Sequence, residues 1–351
     1  MKSSTQKPLL SICVPTFNRR NNLLNCLNSI NASLNNFHKE VEVCISDNCS
    51  TDKTAEVVKN FNSLAKIKYN LNNANLGFAK NFLKVVSMSE GKFTWLIGDD
   101  DLLTPSAIKN LLKLIKKNKD VDFFYVNAFH LSNDFVMSFS QPFSTVNLPI
   151  TMEPFSKMKG SRKLPFLDLV HPKVSFDFLG GMFLSVFRTE MWEINKDCLL
   201  NEAIKDRKIF SHYDNTFPHV KIFAKSFSKS QAYFNEKPLI VCLEGVREWA
   251  PLESMIKCVR LIESTELFYK EGLNYFQYIR CRNFALRNFW SHLIWMIANY
   301  KISGIEYFSF KKHFLSNIFF PNFYFSPFYY IYRKVLHILN LISKFLIRSF
   351  K

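Results

Sequence analysis

The sequence predicts an α/β fold: a Rossmann-like, mostly parallel sheet flanked by helices, with a helical C-terminal extension. Two observations carry this prediction. Short apolar runs alternate with helical patterns over the first 125 residues, and each run ends in a polar turn. Strand–turn–helix repeated in this way implies parallel strands joined by right-handed crossovers. Polar turns at the carboxyl ends of such strands gather on one edge, where open α/β sheets bind ligands.

The first run, Leu9-Leu10-Ser11-Ile12-Cys13-Val14, reads as a buried strand ending at Pro15. Thr16-Phe17-Asn18-Arg19-Arg20 is a turn, and Leu23, Leu24, Leu27 and Ile30 then recur at helical spacing. Val41–Ser46 is the second strand. It ends in Asp47-Asn48-Cys49-Ser50-Thr51-Asp52, with Thr51 or Asp52 placed to cap a helix carrying Val57, Val58 and Phe61. The third unit is Lys66–Asn70, then Asn75-Leu76-Gly77, then a helix over about Phe78–Met88. The fourth strand, Phe93–Ile97, runs into Gly98-Asp99-Asp100-Asp101, and a helix follows from Pro105.

Three adjacent carboxylates repel one another and raise at least one pKa unless a cation is near. Hard divalent cations such as Mg²⁺ or Mn²⁺ favour all-oxygen ligation and often bridge to substrate phosphates. The triplet therefore reads as a metal–nucleotide site. The same residues also suit a solvated acidic turn, with Asp101 or Thr104 capping the following helix.

Four segments together resemble glycosyltransferase family 2, enzymes of GT-A fold. They are Ser11–Arg19, Val41–Asp52, Asn75-Leu76-Gly77-Phe78-Ala79-Lys80-Asn81 and Gly98–Asp101, in order and spacing across roughly residues 8–110. The Gly-Asp-Asp-Asp form is most similar to the abequosyltransferase-like branch of surface-polysaccharide enzymes. The resemblance implies donor contacts from Pro15, Thr16, Asn18, Arg19, Asp47, Asn75, Gly77, Lys80 and Asp99, with Asp100 and Asp101 at the metal. The common family pattern is Asp-x-Asp-Asp. Counted back from Pro105, its first Asp falls on Gly98, which removes one ribose contact.

The middle of the chain carries the expected acceptor side. Asp122–Val126 reads as a further strand, and residues 130–175, with five prolines, read as loops around the acceptor. Phe178–Arg188 resembles the strand that lines the donor sugar, with Gly180 and Gly181 allowing close backbone approach. Thr189 is placed to cap a short helix. Asp214 is the candidate catalytic base, because inverting relatives use a carboxylate at the start of a helix in this region. It equally suits a helix cap, and His212 is the rival base. Arg247, in Glu244–Trp249, resembles a segment that closes over the donor pyrophosphate, and Trp249 is placed to stack on a sugar.

Composition agrees with a large globular enzyme: 351 residues, 48% of them hydrophobic, with 37 Phe. The expected division is 1–125 for nucleotide-sugar binding, 126–250 for the acceptor, and 251–351 for a helical region. Eight Cys show no paired metal-ligand spacing, which points to reduced thiols in a cytoplasmic setting. The N-terminal residues contain no apolar signal segment. The net charge of +17 comes without a nucleic-acid-binding motif, so no nucleic-acid partner is expected. Arg280, Arg282 and Arg287 alternate with Phe284, Phe289 and Trp290, and no acidic residue follows position 306. Residues from Arg333 to Lys351 read as an amphipathic basic helix suited to an anionic membrane surface, or else to packing on the domain.

The expected function is therefore an inverting, metal-dependent glycosyltransferase on the inner face of the cell membrane. It would move a sugar from a nucleotide-sugar donor to a lipid-linked or surface glycan. The alternatives are a sugar nucleotidyltransferase, which usually carries a Gly-rich loop absent from Pro15–Arg19, and a non-catalytic membrane-associated partner.

Overall fold

The computed structural model describes residues 7–245, 247–328 and 331–332. The chain divides into two compact units, Met1–Arg247 and Glu248–Lys351.

In the first unit, β1 (Leu10–Thr16), α1 (Arg20–Leu34), β2 (Val41–Asp47), α2 (Thr54–Asn60), β3 (Lys66–Leu71), α3 (Phe78–Ser87) and β4 (Phe93–Leu96) alternate. A two-residue strand β5 (Leu102–Leu103) and helix α4 (Ala107–Lys117) follow. The sheet is completed by β6 (Phe123–Ser132), β7 (Arg162–Pro165), β8 (Ser185–Arg188) and β9 (Gln231–Glu244). Among the described residues the sheet has nine strands in the order β3-β2-β1-β4-β8-β6-β9-β5, with β7 also on β9.

The β1–β4 half is parallel throughout. Strand β1 continues through Pro15 rather than stopping there. Its pairing with β4 ends at Cys13↔Leu96, so the missing Pro15 N–H costs no ladder bond on that side. Helix α1 packs Leu23, Cys26, Leu27, Ile30 and Leu34 inward, the spacing of one helical face. Helix α2 starts after Lys53, and Asp52 accepts from the Thr54 amide at 3.2 Å. Helix α4 starts at Ala107, and no side chain caps it. Thr104 instead donates to the Leu239 carbonyl at 3.3 Å.

The second half of the sheet is mixed. Residues 178–188 do not form one strand: a 3₁₀ turn over Met182–Leu184 precedes β8. The chain enters the sheet there from the carboxyl edge, so β8 runs antiparallel to both β4 and β6. Thr189 opens the next helix, and its hydroxyl bonds the Gly91 carbonyl at 2.7 Å without capping. Residues 130–175 are less irregular than expected, since β6 runs to Ser132 and β7 pairs with β9. Strand β9 itself hid in the sequence behind Asn235-Glu236-Lys237-Pro238, where the pairing shifts register from Val126↔Asn235 to Ala128↔Ile240. Part of the large Phe content forms a core. Phe123 meets Phe166, Phe223 and Phe227 at ring-centroid distances of 4.9, 5.0 and 5.4 Å.

The second unit contains helices Leu261–Lys270, Tyr275–Ala285 and Phe289–Ala298, and residues 321–328 are also helical. Arg282, one of the arginines that alternate with aromatics, does not face solvent. It is buried, and it donates to Asn317, Glu266, Ser316 and the Ile262 carbonyl. Phe276, Ile294, Ile297, Tyr300, Phe319, Phe325 and Phe328 are exposed. No helix among the described residues is long and apolar enough to cross a membrane. The predicted Arg333–Lys351 helix lies outside the described residues.

Candidate active site

The carboxyl ends of β1, β2 and β4 meet, and a network of short polar bonds joins their turns. Thr16, the last residue of β1, donates its hydroxyl to Asp99 at 2.7 Å. In the β1–α1 turn, Asn18 has φ of 52°, a left-handed conformation that Asn tolerates. Its side chain accepts the Thr51 amide, and its own amide donates to the Ser50 hydroxyl, both at 2.8 Å. The first turn of the fifteen-residue α1 contains no acid, so its N-terminus faces this edge as a positive end.

Asp47 is fully buried. Its carboxylate accepts the Ser50 amide at 2.8 Å and the Tyr69 hydroxyl at 2.7 Å. Burial, and then Asp47, push the Tyr69 hydroxyl pKa upward. Asp47 therefore shapes the turn from beneath. Asn48 ties this turn to the next: it donates to Asn75 and accepts the Leu76 amide, each at 2.8 Å. Asn75 also accepts the Gly77 amide at 2.8 Å. Gly77 has φ of +82°, which requires glycine, and it leads into α3, whose first turn carries Lys80. Pro15 lines the end of β1 beside Thr16.

The three aspartates have different partners. Asp99 is buried and bound to Thr16. Its pKa is pushed up to about 7, first by burial and then by Asp100, with Arg19 and Thr16 opposing. Asp101 is buried and accepts the Gly98 amide at 2.7 Å, closing the turn instead of capping α4. Burial and Asp100 raise its pKa too, while the Gly98 bond and Arg247 lower it. Asp100 is the most open of the three, and it accepts from Arg19 Nη1 at 3.2 Å. The same nitrogen lies 3.6 Å from Asp99 Oδ1. Arg247 donates to the Leu243 carbonyl at 2.8 Å and keeps its charge close to Asp100 and Asp101.

Gly98 explains the departure at the first position of the acidic motif. A Cβ there would lie 2.6 Å from Asp100 Oδ1 and 3.1 Å from Asp101 Oδ2. The absent side chain lets both carboxylates fold over the same point. Among the described residues, no three His, Cys, Asp or Glu side chains converge as a closed metal cage. One or two carboxylates and an open side is the arrangement by which Mg²⁺ is held between protein and substrate phosphates, so the donor set fits such an ion.

Asp214 is the second residue of a short helix, Tyr213–Thr216, and is buried. Its Oδ2 accepts the Leu200 amide and Lys221 Nζ, both at 2.7 Å. His212, not Asp214, caps the helix, with Nδ1 accepting the Asp214 amide at 3.0 Å. That bond places the proton of the neutral ring on Nε2. The segment leading into this helix lies against the Asn75–Gly77 turn. A Cβ at Gly77 would meet Arg207 Cα at 3.8 Å, and the Phe78 and Phe210 rings sit 5.8 Å apart.

Three residues here have a role that sequence reasoning did not assign, although Asn81 lay within the resembling Asn75–Asn81 segment. Asn81 is buried and joins the ends of β1 and β2, donating to the Thr16 carbonyl at 3.4 Å and the Ser46 carbonyl at 3.0 Å and accepting the Ser46 hydroxyl at 2.7 Å. Its place six residues after Asn75 was the available signal. Asp177 precedes two consecutive left-handed residues, Phe178 at 53° and Leu179 at 70°. Burial raises the pKa of its carboxyl, and the Gly181 and Gly180 amides oppose that shift. His219 packs on Phe82 and bonds the Gly180 carbonyl at 2.9 Å, fixing the same turn from below.

Residues 11–174 match glycosyl transferase family 2. Abequosyltransferase RfbV of Salmonella typhimurium is 39% identical over 117 residues, which cover 32% of this chain and 34% of that protein. The GalNAc(5)-diNAcBac-PP-undecaprenol beta-1,3-glucosyltransferase of Campylobacter jejuni is 36% identical over 108 residues, 30% of this chain and 34% of that protein. The matched segment thus spans about a third of each relative's length. Among solved structures, Staphylococcus aureus TarS 1-349 with UDP-GlcNAc superposes with TM-score 0.53 at 15% identity, covering 90% of this chain and 78% of that one. The same protein with UDP gives TM-score 0.51 at 16% identity, covering 80% and 72%. The shared fold is GT-A.

Proposed function

We propose that this chain, whose residues 11–174 match glycosyl transferase family 2, transfers a sugar with inversion from a nucleotide-sugar donor to a lipid-linked or surface glycan. One observation carries the reading. The carboxylate triplet stands at the joined ends of three parallel strands, with Asp100 open toward the side where Arg19 and the α1 N-terminus supply positive charge. The names of the two sequence relatives support a role in glycan assembly, and the UDP complexes of TarS support a nucleotide donor.

In this reading Thr16, Asn18, Asp47, Asn75 and Gly77 frame the base and ribose, and Lys80, Arg19 and Arg247 face the diphosphate. Asp99 holds the turn against Thr16. Asp100, with Asp101 beside it, would hold a divalent cation, and the chemistry such an ion would supply is neutralisation of charge on the departing nucleoside diphosphate. The acceptor hydroxyl attacks the anomeric carbon as the bond to the diphosphate breaks, through an oxocarbenium-like transition state. Asp214 takes the hydroxyl proton once the acceptor displaces part of its contact with Lys221. Exposed aromatics of the second unit, together with the basic C-terminal sequence, suit attachment to an anionic membrane on its cytoplasmic side.

The test is a panel of nucleotide sugars incubated with full-length protein, with Mn²⁺ and with EDTA. Release of nucleoside diphosphate, lost in EDTA and in Asp100→Ala, is the expected result. Release of inorganic pyrophosphate from a nucleoside triphosphate and a sugar phosphate would establish a nucleotidyltransferase instead. Flotation with anionic vesicles at low and high salt tests the membrane component, and failure to float at low salt removes it.

A further inference from the structure

We infer that Arg19 is a built-in counter-ion of the aspartate triplet, one that a divalent cation and the donor diphosphate must displace together. The inference rests on the proposed metal–donor site and specifies how that site is kept before the donor arrives.

The geometry supplies the argument. A single guanidinium nitrogen of Arg19 stands 3.2 Å from Asp100 Oδ2 and 3.6 Å from Asp99 Oδ1. Only 8% of the Asp99 side chain is exposed, so its charge is poorly hydrated and calls for a nearby cation. Arg247 also carries its charge close to Asp100 and Asp101, and it donates to the Leu243 carbonyl at 2.8 Å. Arg19 sits in the turn ahead of α1, and its side chain is 30% exposed.

A Mg²⁺ or Mn²⁺ ion ligated by Asp100 would stand about 2.1 Å from a carboxylate oxygen. A guanidinium 3.2 Å from Oδ2 would compete with an ion for that carboxylate. Two like charges do not share it without strong repulsion. Arg19 therefore swings away when the ion enters, and a diphosphate offers it the planar, bidentate partner it favours. Metal and diphosphate then bind with positive coupling, each removing a cost for the other. Metal alone binds weakly, because it must evict the arginine with nothing to receive it.

The experiment is a Mn²⁺ titration of full-length protein without donor, followed by electron paramagnetic resonance. The proteins are wild type, Arg19→Gln, Arg19→Lys and Asp100→Asn, with circular dichroism as the folding control. Arg19→Gln is expected to bind Mn²⁺ about tenfold more tightly than wild type, and Arg19→Lys to stay near wild type. In metal-free buffer, inorganic pyrophosphate measured by calorimetry should bind Arg19→Gln more weakly. Equal or weaker Mn²⁺ binding by Arg19→Gln, with binding lost in Asp100→Asn, overturns the counter-ion role and leaves the metal site standing. Undiminished Mn²⁺ binding by Asp100→Asn overturns the metal assignment itself, and the inference with it.

Discussion

Gly98→Ala is a small change whose effect can be worked out from the site. The new Cβ would stand 2.6 Å from Asp100 Oδ1, where ordinary contact begins at 3.4 Å, so that oxygen must retreat by about 0.8 Å. Asp101 Oδ2, at 3.1 Å, must yield less, but it is tied to the Gly98 amide at 2.7 Å. The larger displacement therefore falls on Asp100, a partly exposed side chain whose partner is Arg19 at 3.2 Å, through Oδ2 and not the crowded Oδ1. Rotation of one partly exposed carboxylate costs little folding energy, and the loss of glycine freedom in the unfolded chain offsets part of it, at about 0.4–1 kcal/mol. A shift approaching 1 Å in a group that positions the reacting centre costs about 10²-fold in rate. Melting temperature should stay within a few degrees of wild type while kcat/KM falls by about two orders of magnitude. The paired assays are thermal unfolding and steady-state transfer with varied Mn²⁺. Wild-type kcat/KM in a stable Gly98→Ala protein would refute the account of why this position lacks a side chain. Gly98→Asp, which restores the more common family residue, should be worse, since it adds a fourth charge to a cluster where Asp99 already stands near 7.

Asp47→Ala removes the partner of a half-buried tyrosine hydroxyl and one turn amide, so stability should fall by about 1–3 kcal/mol and nucleoside diphosphate affinity with it; unchanged affinity by calorimetry would count against the base-binding turn. Asp214→Asn should lower kcat by about 10²-fold or more, whereas Lys221→Met, which breaks the same ion pair without removing the carboxylate, should retain most of it; equal losses in kcat and melting temperature would make Asp214 purely structural. His219 is buried, which pulls its pKa from 6.5 down to about 4. The unfolded chain protonates near 6.5 and the folded one resists until about 4. Its contribution is therefore present above pH 6.5 and lost as pH falls toward 4, amounting to about 3 kcal/mol. His219→Gln should flatten the dependence of melting temperature on pH in that window, and an unaltered slope would show that other groups govern it.

Most of the parallel half of the sheet was legible because β1, β2 and β4 are buried, largely apolar runs punctuated by Pro15, Asp47 or Gly98, whereas the half-exposed β3 shows itself only by its place between two helical patterns. The second half was not. β9 carries Pro238 and a charged bulge in mid-strand, and β5 is only two residues long. β8 runs against its neighbours for a reason that lies in the Gly180–Gly181 turn, not in its own pattern. At the site, spacing placed the Asp triplet at a strand end, but it carries no information on direction. Asp101 turns inward to an amide and Asp47 lies under its turn, because each finds a backbone donor within reach. The Lys221 contact of Asp214 lies two turns further along the chain, in the next helix, where a local motif does not show it.

The amides around Asn48 form a directed circuit. Asn70 donates to Asn72, Asn72 to Asn81 and to Asn48, Asn48 to Asn75, and Asn81 to the Ser46 carbonyl. Every amide has a donor end and an acceptor end, so turning one over would leave two like ends facing each other and force its neighbours to turn as well. The circuit has one orientation, and the three turns it joins hold a single shape before any ligand arrives. Such a surface loses little disorder when a nucleotide settles on it. Being made of neutral groups, it should also grip the base with an affinity that hardly changes with ionic strength, leaving salt to act on the diphosphate alone.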